Sequence, residues 1–260
     1  MHKKPRRTGK HGVKSMTDSV SSFPRTKPAS KQLDKLFTLY QEAKDTFDDS
    51  ALAERLQSMM NAKTRPRITK AISLGLGSLG ASKDQPRRIK QLVIFLAIAS
   101  YLAASQSLVP LYAQDPTFTS TDEAFLSTFG IKVLKTPSPS ELGEAADLID
   151  SETLVYSPFL TIAAYTSLFV SGSKSSSLPG SKIPVLIGDD FNALKLKWEK
   201  RTTEHRDVEA LIKAFKARNY QRRVISGDGF WHESDNPFPM ALYWGQSSNS
   251  SRDGPRANKL

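Results

Sequence analysis

Gly75, Gly77 and Gly80 in "SLGLGSLGAS" form a G-x-G-x-x-G pattern directly after an apolar run. Such a loop can cradle a phosphate. The first glycine permits a tight turn, the second lets a pyrophosphate approach the backbone, and the third lets a helix pack on the strand. The helix must open within the motif, so that its free amides face the anion. Here "ASKDQ" separates Gly80 from Pro86, which leaves a helix starting at Pro86 a full loop away from Gly75. An acid that binds ribose is expected about 20 residues further on. The stretch "FLAIASYLAAS" at 95–105 holds none. Asp115, the next acid near a strand end, suits the methyltransferase-like variation, in which an acid after the second strand holds a ribose. Its context "AQDPTF" reads equally well as a turn. Ser78 is not the nucleophile of a G-x-S-x-G elbow, because Leu76 stands where the first glycine must be. A nucleotide or S-adenosylmethionine site and a structural turn both remain open.

Arg87, Arg88 and Lys90 fall in the first turn of the helix that follows. Cations there oppose the helix dipole, at roughly 0.3–1 kcal/mol each. A small anionic ligand at the glycine loop would offset that cost, and so would extension of the side chains into water. Two further segments carry chemistry. "YSPF" offers Tyr156 and Ser157 after one strand, and "GDDF" offers Asp189 and Asp190 after another. Asp190 is also placed to cap the next helix. Ligands of open parallel sheets bind outside the carboxyl ends of the strands. That rule gathers Gly75, Gly77, Ser78, Gly80, Arg87, Arg88, Asp115, Tyr156 and Asp189 on one rim, as a candidate binding site for a cofactor whose identity stays unknown. No catalytic residue or metal ligand is assigned. The four histidines show no metal-ligand spacing, and no P-loop G-K-[ST] occurs.

Those residues need a scaffold. Short β-rich runs at Ile68–Leu74, Leu108–Tyr112, Ile131–Leu134, Thr153–Tyr156, Ile183–Ile187 and Arg223–Ile225 alternate with helical patterns. The helical patterns are Pro86–Ser105, Thr121–Phe129, Ser140–Ile149, Leu160–Val170, Asn192–Lys200 and Val208–Arg218. This alternation predicts an α/β, Rossmann-like three-layer domain with a mostly parallel sheet, its crossover helices on both faces. "ALYWG" near the C-terminus reads as an edge strand. A helical segment precedes the domain: Leu33, Leu36, Phe37 and Tyr40 share a face, as do Leu52, Leu56 and Met59. "DTFDDS" splits it into two helices, with Asp49 or Ser50 as the second cap, and Asp84 is the expected cap ahead of Pro86. The expected organisation is a disordered basic tail over 1–30, a helical segment over 31–64, the α/β domain over 65–245 and a disordered tail over 246–260.

The formal charge of +11 is uneven, since residues 1–30 hold eight Lys/Arg against one Asp. "KKPRR" in that tail reads as a nuclear localisation signal, a contact for acidic partners or a solvated run. Nonspecific nucleic-acid binding through the tail would show a steep salt dependence. Sequence-specific nucleic-acid binding is not expected, because basic and aromatic residues do not interleave. Trp231 and Phe230 in "DGFWHESDNPF" read as satellite core. The absence of cysteine excludes disulfides and thiolate chemistry. The longest apolar run, "LVIFLAIASYLAA", is too short to span a bilayer as a helix. No membrane insertion is expected, and a cytoplasmic or nuclear location fits.

Several segments, in order and spacing, resemble the sensitivity-to-red-light-reduced-like (SRR-like) domain family. "SLGLGSLGASKDQPRRIKQLVIFLAIASYL" is similar to its opening block, with a Gln at Gln91. "LYAQDPTFTSTDEAFLSTFGIKVL" is similar to its second block, through Asp115, Pro116, Phe118, Thr119, Asp122, Leu126 and Gly130. "TLVYSPFLTIAAYTSLF" and "PVLIGDDF" look like later blocks. The resemblance covers about Ile68 to Phe191. It departs at Phe159, where many members have His, and at Ser171 and Gly172, where many have Asn-Trp. A catalytic role carried by that His would be lost here. The resemblance implies the fold, protein partners and a non-catalytic regulatory or interaction role in intracellular signalling. The basic tail and loop lengths look like those of a fungal member.

Overall fold

A computed structural model describes residues 27–62, 65–104, 108–136, 142–170, 182–227, 229–235, 237 and 239–245, and every structural statement concerns these. The "KKPRR" run, the Ser/Gly stretch 171–181 and the tail 246–260 lie outside them.

Seven strands form one sheet: β1 Lys70–Leu74, β2 Leu111–Gln114, β3 Ile131–Val133, β4 Thr153–Ser157, β5 Val185–Asp189, β6 Tyr220–Ile225 and β7 Met240–Gly245. Their order is β3-β2-β1-β4-β5-β7-β6. The first five are parallel, whereas β7 runs antiparallel to both β5 and β6. The winding reverses between β1 and β4, where an open α/β sheet parts its loops into a crevice.

The eight helices of the described residues are α1 Lys27–Asp48, α2 Ala51–Met60, α3 Gln85–Ala103, α4 Ser120–Ser127, α5 Glu144–Leu148, α6 Ile162–Phe169, α7 Phe191–Leu196 and α8 Thr203–Ala217. Strand alternation decides which helix covers which face. Ala71, Leu154, Tyr156, Val185 and Ile187 point to the layer built by α1–α4. Their neighbours Ile72, Val155 and Leu186 point to the layer of α5–α8. The three-layer arrangement predicted from the sequence is therefore present. The run "LVIFLAIASYLAA" lies in α3, buried on most of its surface, and no helix among the described residues is long and apolar enough to cross a membrane.

Four expectations need correction. β7 is not an edge strand: it lies between β5 and β6 and buries Met240–Trp244, leaving β6 as the edge. β2 starts at Leu111 rather than Leu108, since Pro110 has no N–H to give a ladder. The described part of α1 already includes Lys27, earlier than the periodicity of Leu33, Leu36, Phe37 and Tyr40 indicates. Asp84 holds the cap position of α3 but makes no side-chain cap bond. Its carboxylate instead faces Arg87 at 3.1 Å and Arg88 at 3.9 Å. Other caps match: Ser50 accepts from the Ala53 amide, and Asp190 accepts from the Asn192 amide.

Candidate functional site

The carboxyl rim carries two groups of residues. The first is the loop between β1 and α3. Gly75 and Gly77 have φ of +74° and +76°, the left-handed region that favours glycine. Each glycine also makes room for a side chain of the same protein. A Cβ on Gly75 would come 2.9 Å from Leu160 Cδ1, and one on Gly77 would come 2.6 Å from Arg88 Nε. At Gly80 it would meet Ser78 Oγ at 3.3 Å.

The amides of this loop are taken as well. The Gly77 N–H donates to Asp115 Oδ2 at 2.8 Å, and the Ser78 N–H to Thr117 Oγ1 at 2.9 Å. The Leu79 N–H donates to Asp122 Oδ1 at 2.9 Å, and the Gly80 N–H to Ser78 Oγ at 3.2 Å. Asp122 is the hub. It is 1% exposed, and its Oδ2 accepts from Ser78 Oγ, the Thr119 amide and Thr119 Oγ1, each at 2.8 Å. Asp115 also accepts from the Thr117 amide at 2.8 Å, so the turn and the loop contact coexist. Arg88 closes the loop from the helix side by donating Nη1 to the Ser78 carbonyl at 2.7 Å. Carboxylates of the chain thus occupy the positions an anion would take. The unfavourable charge at the start of α3 is met by Asp84.

The second group lies where β4 and β5 end. Tyr156 is fully buried, and its hydroxyl has no hydrogen-bond partner among the described residues. The same holds for the Ser73 hydroxyl, and Ser73 is the register partner of Tyr156 on β1. Tyr156 is therefore part of the interior beneath the rim. Burial, with the Asp189 charge nearby, pushes its phenol well above the ordinary range. Asp189 is 3% exposed, and burial raises its carboxyl to about 7. The Phe159 amide opposes that rise by donating to both oxygens, at 3.2 and 3.1 Å. Phe159 itself has φ +66°, a strained conformation for a non-glycine residue. Tyr165 donates its hydroxyl to the Ser157 carbonyl and accepts from the Asp189 amide.

Two side chains join the groups across the β1/β4 crevice. Leu160 fills the space above Gly75. The Arg87 guanidinium lies 4.7 Å from the centre of the Phe159 ring, while its Nε is buried without a partner among the described residues. Asp190, next to Asp189, is spent on a bidentate pair with Arg222, at 2.7 and 2.5 Å. The structure thus brings Gly77, Ser78, Arg88 and Asp115 into one network and sets Tyr156 and Asp189 in another. Sequence reasoning passed over Asp122 as a loop partner, although the capping-box spacing of Thr119 and Asp122 was there to read. No group of His, Cys, Asp or Glu among the described residues could hold a metal ion.

A family model described as the SRR1 domain matches residues 26–250. No curated protein matches the chain. Among solved structures, the chain is similar to cofactor-bound Rv0187 from MTB, at 12% identity and TM-score 0.39, covering 82% of this chain and 91% of that one. It is also similar to the plantazolicin methyltransferase BpumL, solved with a monoazolic desmethylPZN analog and SAH, at 10% identity and TM-score 0.35. That match covers 86% of this chain and 91% of the other. Scores this low carry no weight for the chemistry of the rim.

Proposed function

The chain belongs to the SRR1 domain family, and we propose that it acts as a non-catalytic regulatory or interaction protein in intracellular signalling. One observation carries this reading: the amides of Gly77, Ser78 and Leu79, which a phosphate would need, are held by Asp115, Thr117 and Asp122. An anion entering the loop has to displace carboxylates from charge-assisted hydrogen bonds and then sit beside them. Leu160 over Gly75 and Arg88 over Gly77 support the same reading, since they take the space a cofactor would approach through. The expected place of work is cytoplasm or nucleus, through protein partners.

A thermal-shift panel of nucleotides, S-adenosylmethionine and porphyrins on the full chain tests the reading. No shift is expected. A ligand at 100 times its Kd would raise stability by about 2.7 kcal/mol. Such a shift, lost in a folded Gly77→Val variant, would overturn it in favour of a nucleotide- or S-adenosylmethionine-binding transferase. One feature favours that second reading: Asp115 directly follows β2, where an acid can reach a ribose. Turnover of a defined substrate that Asp115→Ala abolishes would establish it.

A further inference from the structure

We propose that the free edge of β6 takes up an extended acidic segment of a partner protein by strand addition, anchored by an apolar residue in the pocket beside Trp231. The proposal rests on the interaction role and names its surface. Among the described residues β6 pairs with β7 on one side only, and Gln221–Val224 are exposed in succession. An edge of six residues offers an unpaired row of backbone donors and acceptors about 20 Å long. The opposite edge, β3, has only three residues.

Charge selects the occupant. Arg222 is committed to Asp190, but its neighbour Arg223 has no carboxylate partner among the described residues. The Arg223 guanidinium lies over the Trp244 ring at 4.5 Å, which leaves its outward side free. Arg55 of α2 donates to Ser226 and likewise makes no ion pair among the described residues. Both arginines, together with Glu54, line a groove of about 510 Å³ between α2 and β6, so its lining keeps one positive charge in excess. Beyond it, from Val224 and Ile225, opens a pocket of about 630 Å³ lined by Trp231, Pro237, Pro239 and Met240. Alternate residues of an added strand stand nearly 7 Å apart on one face. Acidic side chains at that spacing meet Arg223 and Arg55, while a terminal apolar residue reaches the pocket. The same two arginines repel a basic strand, including the β6 edge of a second copy of this chain. Peptides that bind sheet edges draw affinity from main-chain hydrogen bonds and specificity from alternate side chains.

The test uses the full chain and two labelled peptides, acetyl-Glu-Val-Glu-Val-Phe-amide and its Lys-for-Glu counterpart, in which the acids and the phenylalanine share one face of the strand. Fluorescence anisotropy should show the acidic peptide binding at least about tenfold more tightly. Hydrogen exchange should show slowed amides at 220–225 on binding. Arg223→Glu should weaken the acidic peptide by about tenfold or more and favour the basic one, with Arg55→Glu acting in the same direction from a different element. Equal binding of both peptides, no binding, or protection confined to other elements would overturn the proposal. A cofactor shift at the rim would defeat the interaction role while leaving peptide binding at β6 measurable, so the two ideas fail on different readouts.

Discussion

The two halves of the carboxyl rim solve the same problem in opposite ways. Around β1 and β2, the polar groups of the glycine loop find partners inside the chain, and Asp122 alone accepts four hydrogen bonds, two from the loop and two from Thr119. Around β4 and β5, the Tyr156 hydroxyl, like that of its register partner Ser73 on the adjoining β1, has none among the described residues, and a buried carboxyl is pushed up to about 7. The glycine motif, which looks most like a ligand site in the sequence, is the half least in need of a ligand. The half that keeps unspent polar groups is marked by ordinary-looking residues. A buried polar group is costly when unpaired and modestly stabilising when paired, so substitutions in the two halves should have opposite signs.

The largest effect belongs to the paired half. Asp122→Ala leaves the Leu79 and Thr119 amides without their acceptor at a site that is 1% exposed. A loss of roughly 3–5 kcal/mol is expected from several orphaned buried groups. Urea unfolding of the full chain, with an unchanged slope against denaturant, would measure it. Asp115→Ala, at a more open position, should cost roughly 1–2 kcal/mol. If Asp115→Ala proved the more damaging, the hub would be misplaced and the contrast between the halves would weaken.

In the other half a substitution should stabilise, and only at the right pH. The Asp189 carboxyl is raised from its ordinary value of 3.8 to about 7, chiefly by burial. Between those two values the folded protein binds more protons here than the unfolded chain. Stability therefore falls as pH rises through that window, and above about 7 the whole cost of holding the charge is present. Asp189→Asn keeps an acceptor for the Phe159 amide and removes the charge. Thermal unfolding at pH 8 should show a gain of up to about 4 kcal/mol, shrinking towards zero near pH 4. A loss at pH 8 would mean that the ionised carboxylate is needed to hold Phe159 in its left-handed conformation.

Much of the scaffold was legible because local patterns report local geometry. The short apolar runs in "LVYS" and "PVLIGD" mark strands buried on both faces, and the Thr119–Asp122 spacing marks a helix start. The pattern in "ALYWG" also identifies a strand, but its neighbours depend on a connection from Ser226 to Pro239 that turns the chain back between β5 and β6. Nothing local encodes that insertion. The same limit applies to the site. A G-x-G-x-x-G loop demands left-handed glycines, and Gly75 and Gly77 have them. What fills the space around those glycines is set by Leu160 and Arg88. Asp189 and Asp190 look alike in "GDDF", yet one is buried against an amide and the other faces Arg222. Asp189 ends β5 whereas Asp190 caps α7, and what each carboxylate meets appears only once the layers are packed.

The smallest expected effect is the sharpest test of the unpaired half. Tyr156→Phe removes a hydroxyl that has no partner among the described residues and keeps the ring on Phe95, 5.7 Å away between centroids. Deleting an unsatisfied buried hydroxyl should leave stability unchanged or raise it by about 1 kcal/mol. Ser73→Ala, at the register partner, should behave alike, and the double variant should be additive if the two hydroxyls do not interact. A loss of about 1 kcal/mol in each single variant, with strong coupling between them, would instead place a bound water between the strands. The β4–β5 half would then be as fully paired as the glycine loop, and the difference between the halves would reduce to the charge on Asp189.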